Sequence, residues 1–174
     1  KPLGLGVLSA AFRQGRLAEP ALSAWLDLMT TLNRDARDAA LEAGVRAATD
    51  VTGFGLLGHL RNLCTASGLG ARIGAAAVPV LEPARDLAAA GVAPGGSLRN
   101  LESLVPHVRF AAGVDGATRL LLADAQTSGG LLLAVAPERE AALLEGLRRR
   151  GVPAAASIGA LQEGAPGEIE VVAC

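Results

Sequence analysis

No stretch of this chain longer than 13 residues, Ala125 to Pro137, is free of Asp, Glu, Lys and Arg. That limit decides what the chain can fold into, because 51% of its residues are hydrophobic and such a composition invites a membrane reading. A membrane-spanning helix needs about 20 consecutive apolar residues. The apolar residues, mostly Ala and Leu, must instead be buried in a globular core, and the expectation is a soluble protein without a membrane partner. With 174 residues the chain has the size of one domain. A chain of that length buries about 70% of its unfolded surface, so folding requires neither a metal nor a disulfide staple.

Sixteen basic residues stand against seventeen acidic ones, and aromatics make up only 2%. A nucleic-acid surface carries a basic stripe with stacking aromatics, so that partner class is excluded. The one dense basic run, Arg148-Arg149-Arg150, closes a helix whose first turn holds Glu138 and Glu140, an order that complements the helix dipole. Cys64 and Cys174 lie far apart and form no CxxC, which excludes a disulfide scaffold or zinc ribbon and favours a reducing compartment. There is no signal-peptide pattern, so a cytoplasmic protein is expected. The first residue is Lys1 rather than Met, which leads us to expect a piece of a longer protein.

Periodicity and punctuation divide the chain into short elements. Gly4–Phe12 is continuously apolar and reads as a strand. Pro20 suits a first helical turn, with Leu22, Trp25, Leu26, Met29 and Leu32 following at helical spacing, and a break near Asn33. A second helix continues to Gly44, followed by a short strand over 45–49. Helices are expected over Leu56–Ser67, Leu81–Ala90 and from Pro137 to the Arg run, each closed by a glycine. Strands are expected over 69–73, 119–123, 131–135, 154–161 and 168–172, with a loop over Ala93–Ser97. About six strands and four or five helices give an α/β (α+β) fold, a mixed sheet packed with helices rather than a strict βαβ alternation.

Three segments have the residue types for chemistry. The first, Thr49-Asp50-Val51-Thr52-Gly53-Phe54-Gly55-Leu56-Leu57-Gly58-His59, contains a formal Gly-x-Gly-x-x-Gly. A dinucleotide fingerprint also needs a full buried strand before it and an acid at the end of the next strand, and both are missing. Asp50 itself is either a turn or helix-cap residue or an oxygen ligand for Mg²⁺ on a phosphate-bearing substrate. The second segment, Asp124-Ala125-Gln126-Thr127-Ser128-Gly129-Gly130, reads most simply as a hairpin loop, although its hydroxyls and N–H groups would also nest an anion. The third, Pro94-Gly95-Gly96-Ser97-Leu98-Arg99-Asn100, reads as a surface loop. His59 and His107 have no partner at metal-ligand spacing, and Cys64 fits a small core residue better than a nucleophile.

Taken together, these segments resemble the C-terminal domain of selenophosphate synthetase (selenide, water dikinase), in the superfamily of aminoimidazole ribonucleotide synthetase. The matching pieces are Lys1-Pro2-Leu3-Gly4, Met29-Thr30-Thr31-Leu32-Asn33, the 49–59 run, Gly95-Gly96 with Arg99-Asn100, and Gln126-Thr127-Ser128-Gly129-Gly130-Leu131-Leu132. The resemblance implies a partly ferredoxin-like α/β sandwich. It also implies an enzyme that turns ATP, selenide and water into selenophosphate, AMP and phosphate with Mg²⁺. Asp50 stands at the position of a family magnesium ligand; no residue of this chain is assigned a catalytic or nucleotide-binding role. Ala48 and Ala125 replace the usual Cys and Pro, departures that remove no charged group.

The family's nucleophile, catalytic lysine, glycine-rich segment and other metal-binding aspartates belong to an N-terminal ATP-binding domain. The expectation is therefore that residues 1–174 form one domain, the C-terminal half of a two-domain enzyme that is a homodimer when intact. Two alternatives stand beside this reading: the C-terminal domain of a sister ATP-dependent synthetase or kinase, and a non-catalytic α/β binding module. The family reading makes a direct prediction: the purified chain alone shows no selenide-dependent ATP consumption. Selenide-dependent AMP release by the chain would contradict it.

Overall fold

The computed structural model describes the backbone of every residue except Ala18, and the side chains of all but residues 18–22 and 24. The expected core position of Leu22 therefore lies outside the described residues. In chain order the elements are α1 (Leu5–Arg13), α2 (Glu19–Thr30), α3 (Arg34–Glu42), β1 (Ala47–Asp50), α4 (Gly55–Ser67), β2 (Gly70–Gly74) and α5 (Glu82–Ala89). They continue with α6 (Gly95–Leu104), β3 (Val108–Phe110), α7 (Gly116–Leu122), β4 (Leu131–Ala134), α8 (Pro137–Arg149), β5 (Gly159–Gln162) and β6 (Ile169–Val172). No described helix is long and apolar enough to cross a membrane.

The strands form two sheets. β1 and β4 pair antiparallel, with Asp50 opposite Leu131. The second sheet has the order β3-β6-β2-β5, in which β6 runs parallel to both β3 and β2 while β5 runs antiparallel to β2. Its register places Glu170 opposite both Arg72 and Arg109, and the Arg72 pair closes to 3.2 Å. The result is the mixed α/β fold expected from the sequence.

Three apolar clusters hold these elements together. Leu57, Cys64, Ile73 and Val171 join α4 to the larger sheet. Leu5, Val7, Trp25, Ala84 and Leu121 join α1, α2, α5 and α7. Ala36, Ala39 and Ala40 of α3 meet Leu143 and Leu147 of α8, against the face of β4 that carries Leu131 and Leu133. The Arg run ends α8 as expected, and Arg150 pairs with Glu42 to tie α8 to α3.

Five expectations need correction, and one cause covers three of them. Gly4–Phe12 is helix α1 rather than a strand, and residues 119–123 are the end of helix α7 and the residue after it. Leu5, Val7 and Ala11 of α1 and Leu120, Leu121 and Leu122 of α7 are all buried. A run in which successive residues are buried, as in most of α1 and the last turn of α7, is continuously apolar, which erases the period that separates helix from strand. It follows that 124–130 links a helix to a strand and is not a hairpin loop. The 93–97 loop ends at Pro94, because α6 starts at Gly95 with two glycines in its first turn. The expected 154–161 strand is regular only from Gly159.

The start of α7 is fixed by Asp115, whose carboxylate accepts from the Thr118 amide at 2.7 Å. That hydrogen bond holds the Asp115 carboxyl below its ordinary 3.8, so its contribution exists above that pH and fades as pH falls through the lowered value. Replacing Asp115→Ala is expected to lower stability by about 1 kcal/mol at pH 7. Urea denaturation should show that gap closing below pH 3.8.

Candidate functional site

Asp50 is the last residue of β1, and its side chain is exposed. Its carboxylate makes no hydrogen bond or ion pair to any described residue. The cap reading therefore loses its support: Phe54 precedes α4, and no side chain caps that helix. Nor does a dinucleotide unit form. Among the described strands β1 pairs only with β4, antiparallel, and the strand after α4 joins the other sheet.

The turn after Asp50 is held residue by residue. Val51 N–H donates to the Gly130 carbonyl at 2.9 Å, and the Thr52 carbonyl accepts from Gln126 N–H at 3.0 Å. The Gly53 carbonyl accepts from Asn100 Nδ2 at 2.8 Å. Gly55 adopts φ +68°, and a Cβ there would strike the Ala123 peptide. A Cβ on Gly129 would overlap the Val51 carbonyl oxygen. These two glycines let the 51–55 turn and the 123–130 segment touch backbone to backbone. His59, one turn into α4, meets the Thr52 hydroxyl at 3.1 Å and the exposed Phe54 ring at 5.7 Å between centroids.

The 124–130 segment is in turn anchored by a charge. Asp124 is completely buried. Its Oδ2 accepts from Gly6 N–H at 3.0 Å, Val7 N–H at 3.3 Å and Gln126 Nε2 at 2.9 Å; its Oδ1 accepts from the Ser97 hydroxyl at 2.7 Å. Gln126 Oε1 accepts from Leu5 N–H at 3.2 Å, and the Ser97 oxygen accepts from Ala125 N–H at 3.1 Å. Asp124 thus satisfies orphan donors in the first turn of α1 and binds a hydroxyl in the first turn of α6. Burial pushes its carboxyl above 3.8, and the hydrogen bonds oppose that rise.

The far end of the segment has its own ties. Ser128 donates to the Met29 carbonyl at 2.7 Å, and Lys1 Nζ lies 2.9 Å from the Ser128 carbonyl and 3.1 Å from its hydroxyl. Asn33 Nδ2 donates to the Gly129 carbonyl at 3.0 Å. All five sequence pieces singled out above therefore meet along the 124–130 segment and the turn that follows Asp50. Sequence reasoning singled out the segments that hold Asp124, Ser97 and Asn100 but gave these three residues no role in the site. An acid placed directly after a buried apolar run was the signal for Asp124.

Other candidates fall away from it. Cys64 is buried and its thiol is pushed up by burial, so it is a core residue. His107 lies with Arg109 and Glu170 in a small cleft beside the larger sheet. A larger apolar cleft of about 430 Å³ opens between β4, α8 and residues 152–161, lined by Leu60, Leu131 and Leu143, and Asp50 does not line it. Among the described residues no group of three His, Cys, Asp or Glu side chains converges. Mg²⁺ is commonly held by one or two carboxylates together with phosphate oxygens and water. One unpaired, exposed carboxylate on a restrained turn fits that donor set as a single ligand.

Comparison with known proteins gives a consistent picture. The family model "AIR synthase related protein, C-terminal domain" matches residues 1–172. A selenide, water dikinase of Carboxydothermus hydrogenoformans is 44% identical over 155 residues, covering 89% of this chain and 45% of that protein. One from Dechloromonas aromatica is 42% identical over 172 residues, covering 99% and 49%. The chain spans about half the length of the curated relatives it matches. Among solved structures, hydrogenase maturation protein HypE superposes with TM-score 0.69 at 22% identity, over 99% of this chain and 47% of that one. Thiamine-monophosphate kinase from Stenotrophomonas maltophilia K279a gives 0.64 at 23%, over 98% and 47%. At those identities the likeness is one of fold.

The buried Asp124 yields a pH prediction. A carboxyl raised on folding contributes stability below its unfolded value of 3.8, and that contribution is lost as pH rises through the folded value. Relative to Asp124→Asn, the wild type should lose stability as pH climbs from below 3.8. Asp124→Ala, which strands four donors, should cost about 3 kcal/mol at pH 7 in urea denaturation.

Proposed function

Because this chain belongs to the family of AIR synthase related proteins, as their C-terminal domain, we propose that it is the corresponding domain of a selenide, water dikinase. The whole enzyme would make selenophosphate, AMP and phosphate from selenide, ATP and water. The observation that carries this reading is the contrast in identity: 42% and 44% with two selenide, water dikinases over almost the whole chain, against 22% with HypE and 23% with thiamine-monophosphate kinase. The remaining half of the enzyme supplies the ATP-binding domain. We place the enzyme in the cytoplasm as a homodimer, in keeping with the two free cysteines and the family resemblance.

In this reading Asp50 is the chain's ligand to Mg²⁺. When bound, the metal neutralises charge on the phosphate oxygens of ATP. Asp50 contributes a carboxylate at a strand end, with no ion pair to it among the described residues. The turn behind it is restrained at Val51, Thr52 and Gly53, so its carboxylate is presented in one place rather than over a range. Charge and restraint are what a hard cation requires of a single protein ligand.

The test uses the protein from its complete open reading frame, with ATP, Mg²⁺ and selenide followed by phosphorus NMR. A selenophosphate signal is expected from the wild type. Asp50→Asn, which removes the charge and keeps the shape, should lower the rate about a hundredfold or more. A signal that survives the substitution unchanged would remove Asp50 from the metal site and leave the family reading standing. A protein that consumes ATP without any dependence on selenide would favour a sister kinase.

A further inference from the structure

Asn100 has no charge and no titration, yet its side chain reaches the turn that carries Asp50. Its Nδ2 donates to the Gly53 carbonyl at 2.8 Å and to the Ala123 carbonyl at 3.1 Å. Two carbonyl oxygens only accept, so the nitrogen end of the carboxamide is the end that faces them, and both of its hydrogens are used. We propose that Asn100 is the positioning residue for Asp50, holding the 51–54 turn against the end of α7 from a helix that bears no ligand of its own. This rests on the reading of Asp50 as a metal ligand.

Little else restrains Gly53. A Cβ built at Gly53 would find no atom within 4 Å, so no packing holds that residue. Glycine also has the widest backbone freedom of any residue. The hydrogen bonds at Val51 and Thr52 run backbone to backbone, and the Thr52 hydroxyl meets His59 of the helix that follows, whereas the bond to Gly53 is the one hydrogen bond from a side chain to the backbone of this turn among the described residues. Next along the chain, Phe54 is 61% exposed and contributes little burial. On the other side Gly55 is seated on the Ala123 peptide, the same peptide whose carbonyl takes Asn100's second hydrogen. One carboxamide therefore clips the unpacked glycine to the surface on which the turn rests. Without it, the segment between Asp50 and α4 gains freedom at Gly53, and the carboxylate is presented over a wider range of positions. Asn is suited to this and Asp is not, because a carboxylate would face two carbonyl oxygens with no hydrogen to give.

The experiment is a double-mutant cycle in the protein from the complete open reading frame, with Asp50→Asn, Asn100→Ala and the pair together. Mn²⁺ binding in the presence of ADP is read by electron paramagnetic resonance, beside the Mg²⁺ half-saturation of turnover. Asn100→Ala should weaken Mn²⁺ about tenfold, as loss of a supporting residue behind a ligand does. In the Asp50→Asn background it should weaken it no further, because its effect passes through Asp50. Ser103→Ala, which removes a hydroxyl bonded to the Asn100 carbonyl within α6, should leave binding unchanged. Equal losses in both backgrounds, or no loss from Asn100→Ala while Asp50→Asn weakens binding, overturn the positioning role alone. Unchanged binding in Asp50→Asn overturns both that role and the reading of Asp50. Should Asn100→Ala fail to fold, Asn100→Asp takes its place, with the shape retained and both donor hydrogens removed.

Discussion

A carboxylate with no exposure to water holds the centre of this fold. Asp124 persists there because four donors reach it, from the first turn of α1, from Ser97 in α6 and from Gln126. A buried charge contributes little net stability compared with a well-packed apolar group, but its position is tightly specified by its partners. The same contacts set two helix N-termini and one loop relative to one another. The loop then fixes the strand β4, whose partner β1 ends in Asp50. The chain of cause runs from a buried acid to an exposed one.

Glycine makes the last link of that chain possible. The 51–55 turn and the 123–130 segment approach so closely that a side chain at Gly129 or Gly55 would overlap backbone. Close backbone contact replaces side-chain packing here, and hydrogen bonds from Gln126 and Asn100 supply the directionality that packing would have given. The outcome is an exposed carboxylate on a short, restrained turn, which is a better support for a metal ligand than a free loop.

Much of the architecture was legible in the sequence. α4 and α8 announce themselves by glycine stops, and α8 also by its ordered charges. The last strand and the pair 47–50 and 131–134 also stand close to where they were expected, whereas of the expected 154–161 strand only the final residues are regular. α1 and α7 were not legible, because most of α1 and the last turn of α7 are buried as continuous apolar runs that show no polar face. Misreading α7 had a consequence for the site. With a strand in that place, Asp124 became a hairpin residue and its role in joining three elements was hidden. Asp50 was reachable from its motif, whereas Asn100 and Ser97 act through contacts far apart in sequence that no local pattern encodes.

The shared fold of HypE and thiamine-monophosphate kinase, at 22% and 23% identity, means that the scaffold alone does not select a substrate. What this chain adds is a set of five motif pieces that meet along the 124–130 segment and the turn after one exposed carboxylate. The most direct measurement is a crystal structure of the protein from its complete open reading frame with ADP and Mg²⁺. An Asp50 oxygen is expected at about 2.1 Å from the metal, with Asn100 still bonded to the Gly53 carbonyl. A bound Mg²⁺ whose coordination shell excludes Asp50, with that carboxylate turned to solvent, would contradict it.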